Sequence, residues 1–307
     1  GEYRARPTIL PDLSEEEQIV ASSIASLGGR PLTELVTRPP FESPHHTASK
    51  VSIIGGGEGG SVRPGAVTRA CFGILFLDET PQFPASVLDG LRHGIERAKD
   101  LDITAGLILC FLRDRPVAEA HETLRSVAGR ASDLLGVGLD SAELGYPPSL
   151  FAEVFAEARA LGLRTVAHAG EEGPPAYVTE ALDLLHVERI DHGYRSLEDP
   201  ALVERLRQER VPLTVCPLSN VCLGGVERLE AHPLKRMLAE GLLISINSDD
   251  PAYFGGYVDD ALAATQQALQ LDRGDIEALV LGGIESSFLD ETRKAELRAR
   301  AGAVSGS

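Results

Sequence analysis

From Leu101 onward the chain alternates short apolar, β-branched runs with longer amphipathic stretches, and few folds accommodate that rhythm. Six runs read as strands: Gly106 to Leu112, Leu134 to Leu139, Arg164 to His168, Glu188 to His192, Pro212 to Cys216 and Leu242 to Asn247. Their near-continuous hydrophobicity suits strands covered on both faces, and strand–helix alternation makes a parallel sheet. The helical stretches carry start and stop signals. Ser149 stands where an N-cap belongs, Phe151, Val154, Phe155, Ala158 and Leu161 recur at helical spacing, and Gly162 sits at the stop. Pro200 opens another helix in its first turn, where the missing N–H costs nothing. With a helical tail from about Tyr257, the pattern predicts a (β/α)8 barrel of TIM type that is two βα units short.

The first 92 residues differ in character. They hold the glycine run Gly55 to Gly60, a loop-like stretch from Arg38 to His46, and a buried strand over Gly73 to Glu79. The seam is expected between Asp89 and Gly94, inside a helix from Pro84 to Lys99, giving domains 1–92 and 93–307.

A formal charge of −17 and a pI near 4.9 exclude a basic nucleic-acid surface or a polybasic membrane patch, whereas a small neutral substrate is compatible. The absence of a signal pattern or a long apolar run leads to the expectation of a cytoplasmic protein. The four cysteines, Cys71, Cys110, Cys216 and Cys222, form no CxxC pair and read as buried thiols.

In a parallel barrel the reactive groups sit where strands end. Four successive strands here end in Val166-Ala167-His168-Ala169-Gly170-Glu171, Arg189-Ile190-Asp191-His192-Gly193, Cys216-Pro217-Leu218-Ser219-Asn220 and Asn247-Ser248-Asp249-Asp250-Pro251. Each alone is an ordinary hydrogen-bonded loop. Together they bring two histidines and three carboxylates to one face, a ligand set of the kind zinc takes, with groups to spare for acid and base work.

These motifs resemble the adenosine/adenine deaminase family, a group of metal-dependent hydrolases, over roughly Gly94 to the end. Phe111-Leu112-Arg113, Val137-Gly138-Leu139-Asp140 and Ala252 to Tyr257 share in the likeness. The resemblance implies that His168 and Asp249 hold Zn2+, which activates a water for attack on C6 of a purine. It implies that His192 orients and deprotonates that water, that Glu171 protonates ring N1, and that Asp250 holds N7. Ammonia leaves and a 6-oxo purine remains. Adenosine-preferring members carry a glycine where this chain has Glu143, and a carboxylate there would accept the N9–H of free adenine. In the family an H-x-H pair completes the metal site, and none of the eight histidines here has that spacing. His45 and His46 are adjacent, and on an extended segment their side chains would point to opposite faces. With two protein ligands, fewer than a catalytic zinc usually has, activity is expected to be impaired.

The N-terminal segment resembles magnesium-chelatase-like AAA+ ATPases through Leu13-Ser14-Glu15-Glu16-Glu17, Arg38-Pro39-Pro40-Phe41, Pro44-His45-His46-Thr47, the glycine run, Arg63-Pro64-Gly65 and Gly73 to Glu79. There Asp78 and Glu79 would be the Walker-B carboxylates. No lysine follows a glycine, so the phosphate-binding loop is missing. The expectation is a purine aminohydrolase; the alternatives are a non-catalytic or misassembled fusion, and an ATPase fragment. The oligomeric state is left open.

Overall fold

A computed structural model describes residues 15–27, 34–37, 41–42, 55–56, 63–64, 69, 74–75, 106–250, 254 and 256–305. The chain divides into two units, residues 1–107 and 108–307. The expected seam, the helix from Pro84 to Lys99, His45, His46, His93, Asp78 and Glu79 all lie outside the described residues.

In the first unit a helix spans Glu15–Leu27. Ser22 Oγ, on its buried side, accepts the Val36 N–H at 2.8 Å. Phe41–Glu42 pairs in parallel with Ile74–Leu75, the described part of the expected Gly73 to Glu79 strand. Gly55–Gly56 pairs antiparallel with Arg63–Pro64.

The second unit contains the six expected strands: β1 Ile108–Leu112, β2 Gly136–Asp140, β3 Arg164–Ala169, β4 Arg189–His192, β5 Leu213–Val215 and β6 Ile244–Ile246. They form one parallel sheet in sequence order, each strand bonded to the next. This is the sheet of a (β/α)8-type barrel with six of its strands. Every residue of β6 is buried, and four of five in β2, as expected for strands with cover on both faces. β1 instead alternates half-buried and buried residues.

Helices follow the strands and seal one face. Phe155, on the helix Ala152–Ala160, meets Phe111 of β1 edge to face at 5.8 Å, a contact worth about 1 kcal/mol beyond its buried area. Ser149 is not the cap of that helix. It lies within a 3₁₀ turn, Pro148–Phe151, that leads into the helix, and its N–H goes to Glu180 Oε2 at 3.0 Å. Gly162 does end the helix, in the left-handed conformation a side chain disfavours. Pro200 does open the helix Pro200–Glu209, behind Asp199, whose Oδ1 accepts two helix N–H groups. The tail is three helices, Val258–Leu269, Arg273–Ser286 and Glu291–Ser305. The second packs so closely on β6 that a Cβ at Gly282 would overlap the Ile244 carbonyl.

Candidate active site

The chemistry-bearing residues leave the sheet at one end, because all six strands run parallel. His168 is the penultimate residue of β3 and Glu171 follows the strand, His192 ends β4, Cys216 follows β5, and Asp249 and Asp250 follow β6. His192 at φ 68° and Asp249 at φ 54° occupy the left-handed region, which costs a non-glycine residue about 1–2 kcal/mol. Such strain persists where the surroundings hold it, typically at functional positions.

The register puts Ala169 opposite His192, and the His168 and His192 rings meet edge to face at 4.7 Å. His192 is the hub. Its Nδ1 is 3.4 Å from Glu171 Oε1, and its Nε2 is 4.0 Å from Asp249 Oδ2. Two groups of metal-ligating atoms form around it, each mutually within 4.8 Å: His168, Glu171 and His192, and His192, Cys216 and Asp249. His168 and Asp249 therefore share a neighbour while falling in separate groups. Asp250 is buried, and its charge adds to the burial that raises the Tyr257 hydroxyl.

Charge is concentrated here. Burial works against a charged His168, but Asp140, Asp191, Glu171 and Asp249 outweigh it and lift the imidazole to about 9. Asp140 Oδ1 is 3.5 Å from His168 Nε2. Burial raises both Asp140 and Glu171, against the pull of the neighbouring histidines. A buried carboxyl pushed toward its protonated form can donate a proton near neutral pH.

A second layer holds these groups. β2 and β3 pair only through Gly136–Arg164 and Val137–Thr165, so they splay toward their C-terminal ends. The His168 carbonyl would then be buried and unpaired, a cost proteins avoid. Arg113, 0% exposed, supplies the missing donor: Nη1 reaches the His168 carbonyl at 2.8 Å and Nε the Tyr146 carbonyl at 2.8 Å. Asn220, on the short helix Pro217–Cys222, donates from Nδ2 to Glu171 Oε1 at 2.8 Å.

Glu143, expected to accept the N9–H of adenine, has backbone partners in this structure. It is 1% exposed, and its carboxylate lies under the loop after β3. Oε2 accepts the N–H groups of Gly170 at 3.0 Å and Gly173 at 2.8 Å, and Oε1 that of Glu171 at 3.0 Å. In return the Glu143 N–H donates to Glu172 Oε2 at 3.1 Å. A carboxylate has about four acceptor sites, and three are taken by backbone, so this residue anchors the loop rather than waiting open for a ligand.

Residues 64–303 match the family model described as adenosine deaminase. The chain belongs to the adenosine deaminase family. The match begins well before Gly94, where the sequence resemblance is expected to start, and overlaps a second match, residues 3–104, to magnesium chelatase, subunit ChlI. An adenine deaminase of Rhodospirillum rubrum is 53% identical over 71% of this chain and 66% of its own length. One from Streptomyces coelicolor is 55% identical over 70% of this chain and 63% of its own. The chain thus spans less than two thirds of these relatives. Among solved structures, an adenine deaminase from Arthrobacter aurescens superposes with a TM-score of 0.72 at 44% identity, covering 76% of this chain and 73% of that one. An amidohydrolase from Burkholderia ambifaria with bound zinc gives 0.66 at 32% identity, covering 71% and 62%. Among the described residues no helix is long and apolar enough to cross a membrane.

Arg113 and Asn220 stood inside motifs visible in the sequence, but nothing there gave them a task. Cys216, read as an inert buried thiol, is buried and also lies among candidate ligands.

Proposed function

We propose that this chain carries the catalytic face of a divalent-metal-dependent purine aminohydrolase that converts adenine to its 6-oxo product and ammonia. The observation that carries the reading is the convergence of Glu171, His192, His168 and Asp249 at one end of the sheet, with Glu171 buried and hydrogen-bonded by Asn220. The donor set fits a cation: nitrogen and oxygen ligands lie in a field negative enough to lift His168 to about 9. His168 and Asp249 would hold the ion, with Cys216 beside Asp249. A bound zinc supplies Lewis acidity that activates water at neutral pH.

The other steps belong to the chain's own groups. Glu171, raised by burial, delivers a proton to ring N1 as C6 is attacked. His192, held between Glu171 and Asp249, orients the attacking water and takes its proton. Asp250 holds the purine at N7, a bare ring nitrogen that accepts, so the Asp250 carboxyl donates there in its protonated form. Because no H-x-H pair is present in the sequence, we expect the metal to be retained below one ion per chain and turnover to be slow.

Zinc per chain after dialysis, measured alongside ammonia release from adenine, tests this. Zinc addition should restore turnover, and Glu171→Gln should remove it, by at least about a hundredfold, without lowering zinc uptake. A Glu171→Gln chain as active as its parent would overturn the assignment. A zinc-retaining chain that releases no ammonia from adenine or adenosine favours a non-catalytic fusion.

A further inference from the structure

The hydrogen bond from Asn220 to Glu171 has a requirement of its own. The two ends of an amide are alike in shape, so something must decide which end faces the carboxyl. Asn220 is fully buried: Nδ2 is 2.8 Å from Glu171 Oε1 and 3.4 Å from His192 Nδ1, and Oδ1 is 3.2 Å from His232 Nε2.

His232 makes the decision. Its Nδ1 is 3.1 Å from the Leu234 backbone N–H, a group that can only donate, so Nδ1 must be the bare nitrogen of the ring. The ring is 3% exposed, with Tyr194 packed over it at 5.8 Å, and burial lowers its pKa to about 4. A neutral imidazole with Nδ1 bare carries its proton on Nε2 and donates to Asn220 Oδ1. The polarity therefore runs one way, from Leu234 N–H through His232 and Asn220 to Glu171. With the amide reversed, its NH2 would face Nε2–H and its oxygen would face the carboxyl, giving two like-with-like contacts in a buried site.

We propose that His232 is a positioning residue that acts through Asn220 to fix Glu171 Oε1 as the accepting oxygen, leaving Oε2 to carry the exchangeable proton. The role rests on the reading of Glu171 as proton donor, whereas the orientation of the chain of hydrogen bonds does not. His232 belongs to none of the four strand-end motifs, meets them only through Asn220, and touches none of the candidate metal ligands among the contacts described.

The test uses the full chain, its His232→Gln and His232→Asn variants, and two readouts. A glutamine amide reaches about as far as Nε2 and keeps the donation to Asn220. An asparagine can accept the Leu234 N–H but ends short of Asn220. Nitrogen NMR of the parent chain at neutral pH should show His232 as the Nε2–H tautomer, and the Asn220 side-chain amide protons should exchange slowly. In His232→Asn that exchange should quicken by about tenfold or more, the loss of one buried hydrogen bond, and in His232→Gln it should stay near the parent. With zinc supplied, kcat for ammonia release should fall in His232→Asn with KM for adenine unchanged, and recover in His232→Gln. An Nδ1–H tautomer in the parent overturns the proposal before any substitution is made. Unchanged Asn220 exchange in His232→Asn, or a glutamine variant no better than the asparagine one, overturns it too. NMR results as expected with no ammonia from any variant would leave the positioning chain in place and sink the deaminase reading.

Discussion

Glu143→Gln removes a charge and turns one acceptor into a donor beneath the loop that carries Glu171. Glu143 Oε2 serves Gly170 and Gly173, and Oε1 serves Glu171. A glutamine does best by keeping its oxygen on the two-bond side, so its NH2 meets the Glu171 N–H and that bond becomes a donor–donor contact. A hydrogen bond to a charged group contributes about 1.5–3 kcal/mol and a neutral one about 1 kcal/mol, so one bond is lost and two are weakened. The loop should then open more easily by roughly 3 kcal/mol, on the order of a hundredfold in the exchange of its amides. Hydrogen exchange read by mass spectrometry over residues 168–174, with the Asp199-capped helix Pro200–Glu209 as internal reference, measures this directly. Exchange within about twofold of the parent would refute the anchoring role, as would equal acceleration in the reference helix. The catalytic consequence separates two accounts of the same residue. If Glu143 met the purine at N9, Glu143→Gly would narrow the preference for adenine over adenosine. As a loop anchor its loss should lower kcat on both substrates together, because Glu171 loses its footing in either case.

Two further outcomes follow from the same layer. Gly173→Ala places a Cβ onto Glu143 Oε2 and the Tyr177 ring, so the loop must shift, and the exchange of residues 168–174 should quicken as it does in Glu143→Gln; a crystal structure of the variant with the loop unmoved would count against the packing described. His232 has a folded-state pKa of about 4 against an ordinary 6.5, so the unfolded chain takes up the proton first as pH falls. The stability it contributes is complete above about pH 6.5 and is lost toward pH 4, by up to about 3 kcal/mol, and the urea midpoint of His232→Gln should fall less than the parent's between pH 7 and 4.5.

The six strands were legible in the sequence because parallel strands covered on both faces need unbroken apolar runs, and little else in a chain looks like that. Strand-end residues were legible for a related reason. Once the strands are parallel, topology alone brings His168, His192 and Asp249 to one end. Ser149 misled because a serine ahead of an apolar periodic run is the usual N-cap signal, whereas here the chain enters its helix through a 3₁₀ turn that needs no side-chain cap.

The supporting layer was not legible, and its distances along the chain show why. Arg113 lies 55 residues from the carbonyl it serves, Asn220 lies 49 from Glu171, and Glu143 lies 27 from the first amide it holds. No spacing rule covers such pairs. They are fixed by where the β2–β3 ladder ends: past Val137–Thr165 the backbone of β3 has no strand partner on that side, and its carbonyl and the loop's amides must find side chains. A guanidinium suits the carbonyl and a carboxylate suits the amides, so opposite charges settle on either side of one loop. That division of labour bears on specificity. A carboxylate already accepting three backbone N–H groups has little left for a purine N9–H, so under the proposed function a preference for adenine is expected to follow from the shape in which Glu143 holds the loop rather than from a direct contact.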